Sequence, residues 1–458
     1  GVDAIQFDVP KIYLPIEVLA KNRNIEPEKL TKGLGLQKMS FLDVNQDIIT
    51  LGSNALYKLI QQENLNPSEI ARIYVGTESS VDNSKPIASY ILQVVEQKVG
   101  ANSFQNCDVV DFTFACIGAV DALQNCVDYV RLNPTKKAIV ISTDNAKYDL
   151  NSTGEYTQGA GAIAMLITSN PSIISFSSET GVSTSGVFDF FKPKVTIKKT
   201  EINNNSNNEN WFGILESEIT ITKEQPVFDG QYSNTCYINR ISEAYNHYKK
   251  ESNQNDIVFN NWDLIFMHLP YCFQGRRTFI EIFASENPTL LEMQEGENTK
   301  DKMRSLSKSE VYLKLVNQKI KPTEIASGDV GNIYTGSIFL GFLSALYYNS
   351  KENIALTNKK TGFIAYGSGS KSKVFEGTME ENWQSKIEKT KLFEVLEQRT
   401  AIDFETYEKL HKKEIKHAVL NPINEFVLDY IEKENLVLKG ARYYKFVSEI
   451  TAHIATFN

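Results

Sequence analysis

Residues Cys107–Leu132 read CDVVDFTFACIGAVDALQNCVDYVRL. The segment opens as a strand, because Val109, Val110, Phe112 and Phe114 form a short apolar run. It breaks at Ala115-Cys116 and resumes with helical spacing. Ile117, Val120, Leu123, Val127 and Val130 recur every three or four residues and define one apolar helix face. Cys116 therefore sits where a strand turns into a helix. The free N–H groups and the positive dipole end of that helix face its sulfur, and both favour a thiolate, the nucleophilic form. The same place also suits a small buried residue, since unpaired cysteines are often core. Position alone leaves both readings open.

Working outward, the first part of the chain alternates strands and helices. Ala4 to Phe7, Arg72 to Val75, Ala138 to Ser142 and Ala160 to Ile167 read as strands. Ile16 to Lys21 and Pro27 to Gly33 read as short helices. Asp47 to Glu63 and Lys85 to Val99 read as longer amphipathic ones. This alternation predicts an α/β fold with a parallel or mixed sheet covered on both faces.

The second half repeats pieces of the plan. Leu264 to Met267 is a strand ending at His268, as Arg72 to Val75 ends near Glu78. Asp329 to Ser337 turns into the apolar helix Ile338 to Tyr348, much as the Cys116 segment does. Thr361 to Tyr366, followed by GSGS, resembles the earlier TQGAGAIAMLI. Three pieces in the same order predict an internal duplication, with halves at 1–170 and 171–458. A pseudo-twofold axis would then gather Glu78, Cys116, His268 and Asn332. The polar, low-complexity stretch Lys194 to Asn210 reads as an exposed loop within an insertion near 194–225, and Glu218 to Glu224 as an edge strand or hairpin. The last part reads as charged helices, Glu380 to Glu397 and Phe404 to Lys416, and a final strand near Leu436 to Val447.

Composition narrows the function classes. The chain has 458 residues, 41% hydrophobic and 23% charged, which suits a globular protein with a large core. A net charge of -8 argues against nucleic acid and against an anionic membrane as partners. Five scattered cysteines without a Cys-x-x-Cys pair fit reduced thiols in a cytoplasm, without disulfides or a structural zinc. No stretch has the length of a membrane span, and no signal peptide is visible.

Several residue types fit thiolate chemistry. Glu78, following IYVGT at a strand mouth, is costly to desolvate without purpose, and a desolvated carboxylate becomes a base near neutral pH. An N-cap or an ion pair would account for it equally well. Of five histidines, only His268 ends an apolar strand; His411 and His417 sit in a Lys-rich stretch and read as solvated, and His247 as a surface residue. The GSGS turn at Gly367 to Ser370 could offer N–H groups to an oxyanion. Arg276 and Arg277 could meet phosphates or form surface ion pairs.

Beyond these single residues lies an ordered set of motifs. KGLGLQKMSFLD, GTESSVDNSKP, the segment around Cys116, STDNAKYDLNSTGEYTQGAGA, VFDFFKP, His268-Leu-Pro, GNIYTGS and YGSGS together resemble the 3-hydroxy-3-methylglutaryl-CoA synthases of the thiolase superfamily. The resemblance spans most of the chain. It implies a duplicated thiolase-like fold, layered αβαβα with mixed β-sheets, here with added C-terminal helices, and a cytoplasmic homodimer. It implies Cys116 as the acetylated nucleophile, Glu78 as general acid/base and His268 as the residue that polarises the acetoacetyl group. Asn332, with Tyr334 beside it, would contact substrate. Gly367 and Ser368 would flank the oxyanion, and Asp144, Asp189 and Arg276 would support or contact substrate. One departure is Ile117, where many members carry a tyrosine directly after the nucleophile.

The implied reaction joins acetyl-CoA and acetoacetyl-CoA through an acetyl thioester on Cys116, with no metal or tightly bound cofactor. Two relatives within the superfamily remain as alternatives. One is a β-branching synthase acting on a carrier-protein-bound acetoacetyl group. The other is a ketoacyl-carrier-protein synthase of the third type, which needs no counterpart of Glu78. A catalytically dead scaffold of the same fold is the reading from another class, because fold alone never establishes activity.

Overall fold

The computed structural model describes residues 1–204, 210–211, 213–292 and 298–449. Among these, nine strands form one mixed sheet with the order Leu264–Met267, Lys360–Gly367, Lys371–Met379, Ile174–Thr184, Val2–Asp8, Gly159–Ile167, Lys137–Ala146, Ile70–Gly76, Asp108–Phe112. The two sides of this sheet repeat one pattern. Ile70–Gly76 runs parallel to Lys137–Ala146, which pairs antiparallel with Gly159–Ile167, which pairs antiparallel with Val2–Asp8. Leu264–Met267, Lys360–Gly367, Lys371–Met379 and Ile174–Thr184 follow the same sequence of parallel, antiparallel, antiparallel. The sides join through a single pair, Val2 with Ile174.

This topology corrects one of the three repeat matches. Thr361 to Tyr366 lies in the strand that occupies the place of Lys137–Ala146, not of Gly159–Ile167. Both strands in the first half are apolar and buried throughout, so composition could not tell them apart. The match between the Cys116 and Asn332 segments holds in detail. Each enters a one-turn 3₁₀ helix, Ala115–Ile117 and Tyr334–Gly336, on a residue with positive φ, 37° at Ala115 and 43° at Tyr334. Each then runs into a helix, Gly118–Leu132 and Ser337–Lys351.

The period-2 alternation of the strands divides the core into layers. Ala138 and Val140 pack inward against Val120, Leu123 and Phe339 of those two helices, while Ile139 and Ile141 face the outer helices Ile48–Glu63 and Ile87–Val99. On the other side Phe363 and Ala365 face the same central helices, and Ile364 and Tyr366 face Gly230–Glu251 and Gln274–Glu286. Helices therefore lie outside, between and outside two sheet walls, the αβαβα layering. The central pair sets their spacing. A Cβ at Gly76 would lie 2.3 Å from the Ala119 nitrogen, so only glycine lets the helix Gly118–Leu132 approach that strand.

The ends and the insertion differ from expectation. Lys194–Lys198 is a strand, not a loop, paired with Glu218–Thr222; Val195 and Ile197 alternate with Lys and Thr there, and Ile219 and Ile221 oppose them. Part of the asparagine-rich run, 205–209, lies outside the described residues, as does His453. The expected helix Glu380 to Glu397 is broken by Lys391, at φ 50°, into Trp383–Glu388 and Leu392–Glu397, and the next helix is Phe404–His411. The final strand is Arg442–Val447, and it pairs with a strand the charge-rich sequence concealed, Glu425–Ile431. Phe426 and Phe446 of this hairpin anchor it on the outer helices. His411 is buried, not solvated: its Nε2 lies 2.7 Å from the Tyr148 carbonyl oxygen.

Candidate active site

The strand Ile70–Gly76 ends in Thr77-Glu78, and the 3₁₀ turn Ala115–Ile117 lifts Cys116 toward it. The Cys116 thiol donates to Glu78 Oε1 across 3.3 Å. Burial, then the charge of Glu78, pushes the Cys116 thiol well above its ordinary range. This reverses one expectation, since the helix start does not by itself make a resting thiolate. Cys116 is 8% exposed, and desolvation beside a carboxylate outweighs the dipole. The same burial lifts Glu78 to about 7, with Lys192 opposing and Asp144 reinforcing the shift. A carboxylate with that proton affinity next to a thiol is a proton acceptor placed for it.

Asp144 holds this arrangement from beneath. It is fully buried and accepts from Thr77 Oγ1 (2.9 Å), the Glu78 N–H (2.9 Å) and Ser79 Oγ (2.8 Å), and from the N–H (3.0 Å) and Oγ1 (2.5 Å) of Thr335. One side chain thus ties the Glu78 strand end to the turn that carries Tyr334. Asp189 acts alike at the opposite wall. It is fully buried, accepts from Tyr366 Oη at 2.5 Å and from the Gly369 N–H at 2.7 Å, and so pins the Gly-Ser loop. Both aspartates were expected near substrate. In the structure their oxygens accept from the protein's own donors, the supporting part of that expectation.

Gly367 brings that loop against the nucleophile's turn, since a Cβ there would lie 2.8 Å from the Ile117 nitrogen. Ile117 is fully buried in the central core, so the hydroxyl a tyrosine would carry has no counterpart here. Asn332 is 1% exposed, and its Oδ1 accepts from the Tyr334 N–H (2.8 Å) and Ser337 Oγ (3.0 Å). The amide edge left for a ligand is therefore the donor Nδ2. Tyr334 packs with Cys116 and Tyr148 in one small cluster. His268 is buried, its Nδ1 has no hydrogen-bond partner, and burial lowers its proton affinity to about 3, so it is a neutral imidazole. Tyr237 donates to the His268 carbonyl oxygen at 2.8 Å and packs on Tyr366, linking His268 to the wall held by Asp189.

A cavity of about 450 Å³ opens onto this site, bordered by Glu78, Phe114, Ala115, Phe190, Lys192 and Ser368 among others. Arg276 does not border it. Its guanidinium pairs with Glu324, with Nε at 2.8 Å from Oε1, and stacks over the Phe273 ring. Of the two sequence readings of Arg276, the structure shows the ion pair. Two residues of the site went unnoticed in the sequence. Tyr148 walls Cys116, and Lys192 approaches Glu78. Both lie inside motifs, STDNAKY and FDFFKP, whose other residues drew attention.

Family models for the hydroxymethylglutaryl-coenzyme A synthase N-terminal and C-terminal regions match residues 1–172 and 217–439. The hydroxymethylglutaryl-CoA synthase of Haloferax volcanii is 31% identical over 456 residues, covering 93% of this chain and 96% of that one. The chain belongs to the hydroxymethylglutaryl-CoA synthase family. It is thus an acyl-condensing transferase on a thiolase-like fold. The Enterococcus faecalis hydroxymethylglutaryl-CoA synthase is 30% identical over 408 residues, 89% of this chain and 90% of that one. Among solved structures, MvaS in complex with 3-hydroxy-3-methylglutaryl coenzyme A superposes with a TM-score of 0.80 at 25% identity, covering 98% of this chain and 99% of that one. Among the described residues no helix is long and apolar enough to cross a membrane.

Proposed function

We propose that this member of the family condenses acetyl-CoA with acetoacetyl-CoA and water to give 3-hydroxy-3-methylglutaryl-CoA and CoA, and that its residues divide the work as follows. Glu78 accepts the Cys116 proton as the sulfur attacks the acetyl carbonyl. CoA leaves and takes that proton, and the acetyl group stays on sulfur. Glu78 then removes a proton from the acetyl methyl group. Backbone N–H groups near Cys116 and Ser368 receive the charge that develops on the thioester oxygen. The carbanion attacks the ketone carbon of acetoacetyl-CoA. The neutral imidazole of His268 and Asn332 Nδ2 hydrogen-bond to the ketone oxygen as it becomes an alkoxide, and the proton that Glu78 took from the methyl group passes to that oxygen, giving the tertiary hydroxyl and an ionised Glu78 again. Water finally cleaves the thioester, leaving a carboxylate on the product and the Cys116 thiol restored.

The observation that carries this reading is the Cys116–Glu78 hydrogen bond at 3.3 Å, with Glu78 at about 7. A decarboxylating synthase has no use for that carboxylate. The carrier-protein alternative is not favoured, because the relatives at 30% identity and above are hydroxymethylglutaryl-CoA synthases. The thioesters supply the activation, so the proposed chemistry needs neither metal nor tightly bound cofactor. We place the reaction in the cytoplasm and in a homodimer. Reduced thiols and the open sheet edge at Asp108–Phe112, where Val110 is exposed, support these two points. The test is product formation from the two CoA thioesters. Absence of 3-hydroxy-3-methylglutaryl-CoA, with turnover appearing only when the acetoacetyl group rides on a carrier protein, overturns the reading.

A further inference from the structure

We infer that Lys192 is the electrostatic partner of the Glu78–Cys116 pair: it stands at the cavity wall, holds the Glu78 segment through its carbonyl, and keeps the carboxylate available as a base. The inference rests on the condensation reading above and adds a positioning residue to it.

The geometry comes from three sides. Lys192 Nζ donates to the Glu78 carbonyl oxygen at 3.1 Å. It lies over the Tyr334 ring, 4.7 Å from the centroid, on the turn opposite. It borders the same cavity as Glu78, Ala115 and Ser368, and it is the only Lys or Arg among the residues that line this cavity. The strand end Phe190–Phe191 delivers it, and Pro193 follows directly. Asp189, buried behind the same segment, fixes that delivery through the Gly-Ser loop.

The charges around Glu78 show why a cation belongs there. Asp144, from the strand Lys137–Ala146, donates nothing and carries a carboxylate whose oxygen accepts the Glu78 N–H. Cys116, from the 3₁₀ turn, presents a thiol whose proton affinity burial raises. Tyr334 and Tyr148 bring two phenols, raised well above their ordinary range and to values beyond ordinary titration by burial. His268 is uncharged. Of the groups that act on Glu78, Asp144 and Cys116 are acids, and Lys192 is the basic one. Its field lowers the proton affinity of Glu78 and of Cys116 together. When the proton has left sulfur, or when the acetyl methyl loses one, a negative charge must be carried in this desolvated space. A cation fixed by a backbone carbonyl and an aromatic face meets that charge without reorganisation.

The test compares Lys192→Met, Lys192→Gln and Lys192→Arg by the pH profile of kcat/KM for condensation, with thermal unfolding as a check on folding. The neutral variants are expected to move the acidic limb to higher pH by about one unit, since an adjacent positive charge lowers a carboxylate pKa by at least that much. Lys192→Arg is expected to keep the limb where the parent has it. A uniform loss of rate with the limb unmoved in both neutral variants assigns Lys192 a purely structural role and overturns the inference. So does a limb shifted as far in Lys192→Arg as in Lys192→Met. Failure of the underlying reading shows separately, because then the parent enzyme itself forms no product from the two CoA thioesters.

Discussion

Glu78 Oε1 accepts the Cys116 thiol proton across 3.3 Å, in a place where burial raises the proton affinity of both groups. Burial disfavours charge on both groups, yet with Glu78 at about 7 its ionised form is present near neutral pH to take the sulfur's proton. The proton then moves along one path shared by the two side chains. That economy lets a single carboxylate serve two successive deprotonations, one at sulfur and one at carbon.

The first prediction concerns pH. Glu78 must be ionised to act, so kcat/KM rises with pH through an acidic limb near 7, where burial holds this carboxylate. A limb near the ordinary carboxylate value of 4.5 contradicts the assignment.

Stability carries the opposite sign. The folded state holds the Glu78 proton up to about 7, the unfolded chain only to 4.5. The folded protein binds more protons between these values, so stability falls as pH rises through that window. Its contribution is fully present below 4.5 and lost above 7. Glu78→Gln removes this cost. It is expected to raise the melting temperature at pH 8 relative to the parent and to narrow the difference at pH 5. Melting curves at the two pH values decide it, and an unchanged or lowered melting temperature at pH 8 counts against a raised Glu78.

Asp144 supports both the Glu78 strand end and the Thr335 turn, accepting five hydrogen bonds without exposure. Asp144→Ala leaves buried donors unpaired at both, and is expected to cost at least about 2 kcal/mol of stability. Denaturant unfolding measures that loss. Acetylation rate should fall with it, and normal acetylation in a folded Asp144→Ala protein would show that the clamp is dispensable.

Gly367→Ala tests the close approach of the loop to the nucleophile. The added methyl would meet the Ile117 nitrogen at 2.8 Å, so either the loop or the turn retreats. kcat is expected to drop by about a hundredfold or more, the order seen when an oxyanion donor is displaced. Stability should change less, because the loop borders a cavity. An unaffected kcat would mean that the loop contributes no donor.

Much of this site was legible before any coordinates. Cys116 and Glu78 stand at strand ends with a clear apolar pattern before them, and periodicity locates such places well. Leu264–Met267 was read to the residue because four apolar positions between polar flanks admit one reading. What periodicity could not report was partnership. Arg276 and His411 look available in the sequence, and each is consumed by a residue far away in the chain, Glu324 and the Tyr148 carbonyl. Asp144 and Asp189 read only as acids that support or contact substrate, and the sequence does not name the protein donors their oxygens accept from. Lys192 escaped notice because a lysine in a mixed loop has no pattern of its own. The strand Glu425–Ile431 was hidden for another reason: its apolar face is supplied by Phe426 against the outer helices, and charge dominates the rest.

The central claim is that one carboxylate turns an acetyl group held on sulfur into a carbon nucleophile. It is tested most directly by incubating the protein with acetyl-CoA in D₂O and reading the mass of the peptide that contains Cys116. The parent should carry an acetyl group on Cys116 that gains deuterium in its methyl. Glu78→Gln, wherever it acetylates, should keep a protonated methyl. An acetyl group absent from Cys116 in the parent, or deuterium entering equally in Glu78→Gln, would contradict the account.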